Sequence, residues 1–141
     1  MTTPVPYTSI TAAHWQPALG TPGEAVQGLR DIDQAIRIIL TTPRGSDPHR
    51  PEFGSDLHLY IDWPTNRVVP HLVREAVDAI RQWEPRVTVQ QVLTDIDASS
   101  ITLIASTTPV MIRPNTEPIS RIARGSISTR AFFIRACPAS P

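Results

Sequence analysis

Apolar residues recur at helical intervals in two stretches of the chain. Ile32, Ala35, Ile36, Ile39 and Leu40 share one face of a helix expected over Asp31–Thr41, which Thr42-Pro43 stops. Asp31 and Gln34 have the spacing of an N-cap with its return partner. A second helix is expected over Pro70–Trp83, with proline in the favoured first turn. Leu72, Val73, Ala76, Val77, Ile80 and Trp83 form its apolar stripe, and Arg74, Glu75, Asp78 and Arg81 its wet face. Arg74 and Asp78 are spaced to pair. Beyond Pro85 the period drops to two. Val87 and Val89, then Val92 and Leu93, predict a strand whose register shifts at Gln90-Gln91, as a bulge would shift it. Ile101, Leu103 and Ala105 predict a second strand after the turn-like Asp97-Ala98-Ser99-Ser100. A proline-broken stretch (Pro109, Pro114, Pro118) leads to a third strand over 126–136, centred on Ala131-Phe132-Phe133-Ile134. Helix, helix, then strands predicts an α+β domain, with two main helices packed on one face of a small antiparallel sheet.

Elsewhere the pattern is irregular. Residues 1–28 hold Pro4, Pro6, Pro17 and Pro22 and no sustained period, which predicts an extended N-terminal arm ahead of a domain over 29–141. Tyr7, Ile10, His14 and Trp15 would anchor that arm on a neighbour, or lie idle on a loose terminus. Residues 43–54 make a long loop, of the kind that is either functional or disordered. In it, Phe53-Gly54 predicts a sharp turn with the ring tucked inward. Ser55–Asp62 fits strand alternation and helical spacing alike, and a helical turn is the expectation.

Composition narrows the classes. A chain of 141 residues suits one domain with a modest core. All thirteen cations are arginine, balanced by thirteen carboxylates, and no polybasic block marks a nucleic-acid or membrane surface. Arginine suits fixed bidentate contacts, although genome composition would produce the same bias. The single Cys137 excludes an internal disulfide and fits a reducing compartment. No leader-like or membrane-spanning run is seen, so the sequence reads as a soluble protein made in the cytoplasm.

Candidate chemistry is sparse. His14, His49, His58 and His71 show no metal-ligand spacing, and no cofactor-binding or nucleophile motif is present. Glu52 and Glu84 are the arguable acid–base pair of a glycosidase. Against that, neither carboxylate has an evident apolar pocket, and Arg86 stands two residues beyond Glu84. Trp83-Glu84-Pro85-Arg86 carries more information. Glu84 sits where its charge opposes the helix macrodipole, so Arg86 or a partner's basic group should compensate it. Two readings stay open: a binding turn that presents an acceptor and a guanidinium fork, or an internal ion pair that pins the helix end to the loop carrying Glu52.

The run Asp31-Ile32-Asp33-Gln34-Ala35-Ile36-Arg37-Ile38-Ile39-Leu40-Thr41-Thr42-Pro43, followed by Pro51-Glu52-Phe53-Gly54, Ala79-Ile80 and Trp83-Glu84-Pro85-Arg86-Val87, resembles the GPW-type baseplate-wedge family. That family includes wedge and sheath-initiator proteins of contractile phage tails and the TssE subunit of type VI secretion. The similarity covers about residues 29–97 well and the final strands loosely. It implies a structural baseplate role without catalysis, metal or cofactor, in a phage virion or in a secretion system. Implied partners are other wedge proteins, the first ring of sheath subunits, and tail tube or hub proteins. By position, Glu84, Pro85 and Arg86, with Glu52 and Phe53, would carry the wedge contact. Strand exchange with the sheath would suit the open edges of a small sheet. A muramidase-like hydrolase is the alternative class. Because Arg86 lies beyond the helix stop and outside the apolar stripe, Arg86→Glu is expected to leave the fold largely intact and to abolish assembly.

Overall fold

The computed structural model describes residues 4–97, 100–110 and 127–134. Strands β1 (Val5–Pro6), β2 (Trp15–Pro17) and β3 (Glu24–Gln27) precede helix α1 (Leu29–Thr41). A 3-10 turn over Leu57–Tyr60 leads to helix α2 (Thr65–Trp83), and then come β4 (Val87–Asp97), β5 (Ser100–Pro109) and β6 (Ile127–Ile134). The strands form two antiparallel sheets, ordered β1-β3-β2 and β4-β5-β6. The class is α+β.

One core joins the two helices to β4 and β5. Ile32, Ile36, Ile39 and Leu40 of α1 meet Val68, Leu72, Ala76, Ala79 and Ile80 of α2. Leu57, Val87, Ile101, Leu103 and Ala105 complete the cluster. Burial alternates along β5 from Ile101 to Thr107, as it must when one face of a strand meets the core. The register of β4 on β5 slips between Val89 and Gln91, where the sequence pattern places a bulge. Of the turn at 97–100, the register pairs Asp97 with Ser100, and residues 98 and 99 lie outside the described part. So do Cys137, Pro114 and Pro118.

Three expectations need correction. First, the N-terminal segment is folded and docked on α1. Gln34 Nε2 donates to the Pro17 carbonyl at 2.8 Å, and the Leu19 amide donates to Gln34 Oε1 at 3.0 Å. Gln16 Nε2 donates to the Asp31 carbonyl at 2.6 Å, and Gln27 Oε1 accepts from the amides of Thr11 and Ala12. Second, Gly28 caps α1, so Asp31 and Gln34 form no capping box. Asp31 lies buried in the first turn instead, and Gln34 is engaged by the arm. Third, α2 begins at Thr65 and carries Pro70 inside it. The extra turn places Val68 beneath Leu72 on the same stripe, and that burial outweighs the hydrogen bond a proline cannot make.

The loop 43–54 is closed upon itself. Arg44 N donates to the Ser55 carbonyl at 3.1 Å, Gly45 N to Pro51 at 2.9 Å and Phe53 N to Arg50 at 2.9 Å. Such a loop with adjacent ends, packed by its own groups, is an Ω-loop. Its base is a short parallel bridge between Pro43 and Ser55. Ser55 Oγ donates to the Leu40 carbonyl at 2.9 Å, capping the end of α1. Gly54 is buried with φ of 108°, and a Cβ there would collide with the Thr42 carbonyl. The segment 57–60 forms the expected helical turn.

Gly54→Ala should therefore lower stability by about 3 kcal/mol, since strained backbone and a backbone clash combine. Gly45→Ala, also at positive φ but with nothing within 4 Å, should cost only about 1 kcal/mol. Urea unfolding with unchanged m-values measures both.

Candidate functional site

The end of α2 and the start of α1 meet at one guanidinium. Pro85 ends α2, Glu84 N donates to the Ile80 carbonyl at 2.8 Å as the cap, and the chain turns into β4 at Val87. Arg86 folds back over this turn. Its Nε donates to Glu84 Oε1 at 2.7 Å and its Nη2 to Glu84 Oε2 at 2.6 Å, a two-pronged fork. Its Nη1 donates to Asp31 Oδ2 at 2.5 Å, across 55 positions of sequence. The Arg86 backbone N–H adds a fourth bond, to Glu84 Oε1 at 3.3 Å.

Burial makes this arrangement matter. The Glu84 and Asp31 side chains are each 5% exposed and that of Arg86 is 25% exposed. A carboxylate in either place without a cation would carry a large desolvation cost. The pKa of Arg86 is raised above the ordinary arginine value, chiefly by its hydrogen bonds to Glu84. Burial opposes that shift, and the hydrogen bond to Asp31 adds to it. The linkage sign follows. Stabilisation by a cation with a raised pKa is complete below the unfolded-state value and fades only as pH rises through the folded one. Arginine titrates far above neutrality, so Arg86 stays charged throughout the working range.

The sequence left open whether Glu84 and Arg86 bind outward or pair inward. Their charges pair inward. The pin runs to α1 rather than to the loop carrying Glu52, and Arg86 is the group that compensates Glu84 at the helix end. Pro85 is exposed beside them. The loop still reaches this end of α2, because Phe53 packs edge-to-face on Trp83 with centroids 5.2 Å apart. Glu52 is exposed next to it. The turn and the Phe53 loop, far apart in sequence, are thus neighbours in space.

Two participants escaped the sequence. Asp31 passed for a helix cap because nothing local marks a pair so distant along the chain. Glu75, expected on the wet face, has a side chain only 17% exposed. It accepts from Asp56 N at 3.0 Å and from Arg44 Nη2 at 3.3 Å, while Arg44 Nη1 meets Asp56 at 3.0 Å. This second cluster fastens the Ω-loop to α2. The expected Arg74–Asp78 pair is present at 3.7 Å on open surface, where such pairs contribute little. Among the described residues no group of three or more His, Cys, Asp or Glu side chains is placed to hold a metal ion.

Arg86→Glu is consequently expected to disturb the fold, contrary to the inference from its position beyond the helix stop. It would gather three carboxylates without a cation and cost at least about 3 kcal/mol. Arg86→Lys, which keeps the charge and loses the fork, should cost about half as much. Chemical denaturation of the three proteins at neutral pH tests the order.

The family described as baseplate wedge protein gp25 matches residues 26–112, a span that contains α1, the Ω-loop, α2 and the Glu84-Pro85-Arg86 turn. Baseplate protein W of Escherichia phage P2 is 40% identical over 73 residues, covering 51% of this chain and 64% of that protein. A chain in the postcontracted baseplate of pyocin R2 matches with TM-score 0.58 at 28% identity, covering 69% of this chain and 99% of that one. The fold also recurs in a Geobacter sulfurreducens protein described as a "putative tail lysozyme" (TM-score 0.63, 20% identity, 82% of this chain and 96% of that one). A chain of the type VI secretion baseplate complex shares it too, with TM-score 0.55, 17% identity and coverage of 76% and 93%. The family match spans more than half of the sequence and includes the turn on which the site is built, and the chain belongs to the baseplate wedge protein gp25 family.

Proposed function

We propose that the chain is a structural subunit of a contractile phage tail baseplate, residing in the virion, where it joins wedge proteins and starts the sheath. The observation that carries this reading is the Glu84-Pro85-Arg86 turn, locked by Asp31 and standing beside the Phe53 loop. A rigid turn with an exposed proline, a partly exposed guanidinium and the neighbouring Glu52 offers a preformed contact, which loses little entropy when a partner docks. Glu84 acts there by positioning Arg86, while Pro85, Glu52 and the rim of Phe53 meet the partner.

In this reading both helices lie on one face of β4-β5-β6 and leave the strand edges for pairing. Among the described residues β4 is an edge strand of that sheet, and an edge strand is a template for β-augmentation by a first ring of sheath subunits. The relative in phage P2 favours a phage tail over a secretion system. A hydrolase fits poorly, because Glu84 is buried and Arg86 donates to both of its oxygens, which keeps that carboxyl away from a substrate.

The test is co-purification with the other baseplate proteins of the same tail. The wild type should retain wedge proteins. Glu52→Arg combined with Pro85→Asp should weaken that retention at least tenfold while melting within a few degrees of wild type. Wild type that retains no baseplate protein would overturn the assembly reading. Peptidoglycan turnover that disappears in Glu52→Gln would replace it with the hydrolase.

A further inference from the structure

Helix α2 carries a second stripe, opposite in character to its apolar one. Arg67, Arg74 and Arg81 stand seven residues apart and are all exposed. At that spacing they stay in line, with about 20° of drift per step, over roughly 21 Å of helix. Against three guanidiniums the stripe holds one carboxylate, Asp78, loosely paired with Arg74. Among the described residues, Arg67 and Arg81 have no ionic partner.

An aromatic cluster stands at the amino end of the stripe. Tyr60 stacks on His71 with centroids 5.6 Å apart, and Trp63 meets both rings edge-on at 5.4 Å. His71 lies between Arg67 and Arg74 on the helix face. Trp63 remains 43% exposed, and Leu59 and Ile61 beside it are exposed as well. An isolated charge run is usually a solvated face. Here it continues into packed rings that leave apolar surface open, and Arg, Trp and Tyr are the residue types that dominate binding energy at interfaces.

We propose that this face of α2 docks an acidic amphipathic helix of a neighbouring baseplate protein. Carboxylates repeating at seven-residue spacing would meet Arg67, Arg74 and Arg81, and an apolar side chain at one end would cover Trp63. Charge complementarity chooses the occupant. The arginine forks match carboxylates, and their helical repeat matches a partner of the same period. Nucleic acid is the poorer match, because thirteen cations balance thirteen carboxylates over the chain and the basic strip is one residue wide. The stripe ends at Arg81, in the last turn of α2 before the Glu84-Pro85-Arg86 turn. The proposal rests on the baseplate reading for the identity of the neighbour.

The test uses the full chain reconstituted with the purified baseplate proteins of its own tail. Arg67→Glu, Arg74→Glu and Arg81→Glu together should weaken binding at least thirtyfold near physiological salt. All three side chains are exposed, so the melt should stay within a few degrees of wild type. Trp63→Ala should weaken binding about tenfold, and a photo-cross-linker at position 74 should capture a helical segment rich in Asp and Glu. Binding within twofold of wild type in the triple variant would overturn the proposal and leave the baseplate reading intact. Cross-linking only to a second copy, to nucleic acid or to nothing would do the same. Failure of the wild type to join any baseplate protein would remove the baseplate reading itself.

Discussion

One guanidinium shared by two buried carboxylates holds this molecule's geometry. Arg86 reaches Glu84 within its own turn and Asp31 on another helix, using Nε and both terminal nitrogens in a single plane. Only arginine presents donors in that fork, and a lysine would offer its three donors from a single point, without the bidentate grip on Glu84. The consequences spread from there. Fixing Asp31 fixes the first turn of α1, and the Asp31 carbonyl in turn holds Gln16 of the N-terminal sheet. The ends of both helices and the entry into β4 are therefore set by one charge cluster. Two carboxylates around one cation leave the cluster with excess negative charge, so the partial exposure of Arg86 is useful: water or a partner can offset what the triad does not.

The Ω-loop supplies the second constraint. Gly54 lets its backbone lie against Thr42, and the Arg44, Asp56 and Glu75 cluster ties the loop to α2. With both ends held, Phe53 rests on Trp83 one residue before the turn. A chain with a modest core thus carries a fixed corner with Pro85 and Glu52 exposed on it, held by charge and backbone geometry as much as by apolar burial. Such a corner suits an assembly protein, since a preformed contact loses less entropy on docking than a flexible one.

What the sequence disclosed follows from the range over which its signals act. The stripe of α1, the core of α2, the slipped register at Gln90-Gln91 and the sharp turn at Phe53-Gly54 are local patterns, and each has its counterpart in the fold. The Asp31–Arg86 bond joins positions 55 apart and leaves no local trace, so Asp31 resembled a cap. Proline content suggested an extended arm, yet Gln16 and Gln34 tie that segment to α1, and Gln27 fastens it to itself at Thr11 and Ala12. Pro70 resembled a helix start because proline favours the first turn, and tertiary burial of Val68 overrode that preference. At the turn, the Glu84–Arg86 charges were visible in the sequence, while the direction in which they pair was not.

The stretch matched by the baseplate wedge family, residues 26–112, contains this corner. The central claim is that Asp31, Glu84 and Arg86 act as one unit that sets this corner. A double-mutant cycle with Asp31→Asn and Arg86→Lys, followed by urea unfolding, addresses it most directly. The account predicts a coupling energy above about 1 kcal/mol, as expected for groups in direct contact within one network. Effects that add to within roughly 0.3–0.5 kcal/mol, the behaviour of independent sites, would contradict it.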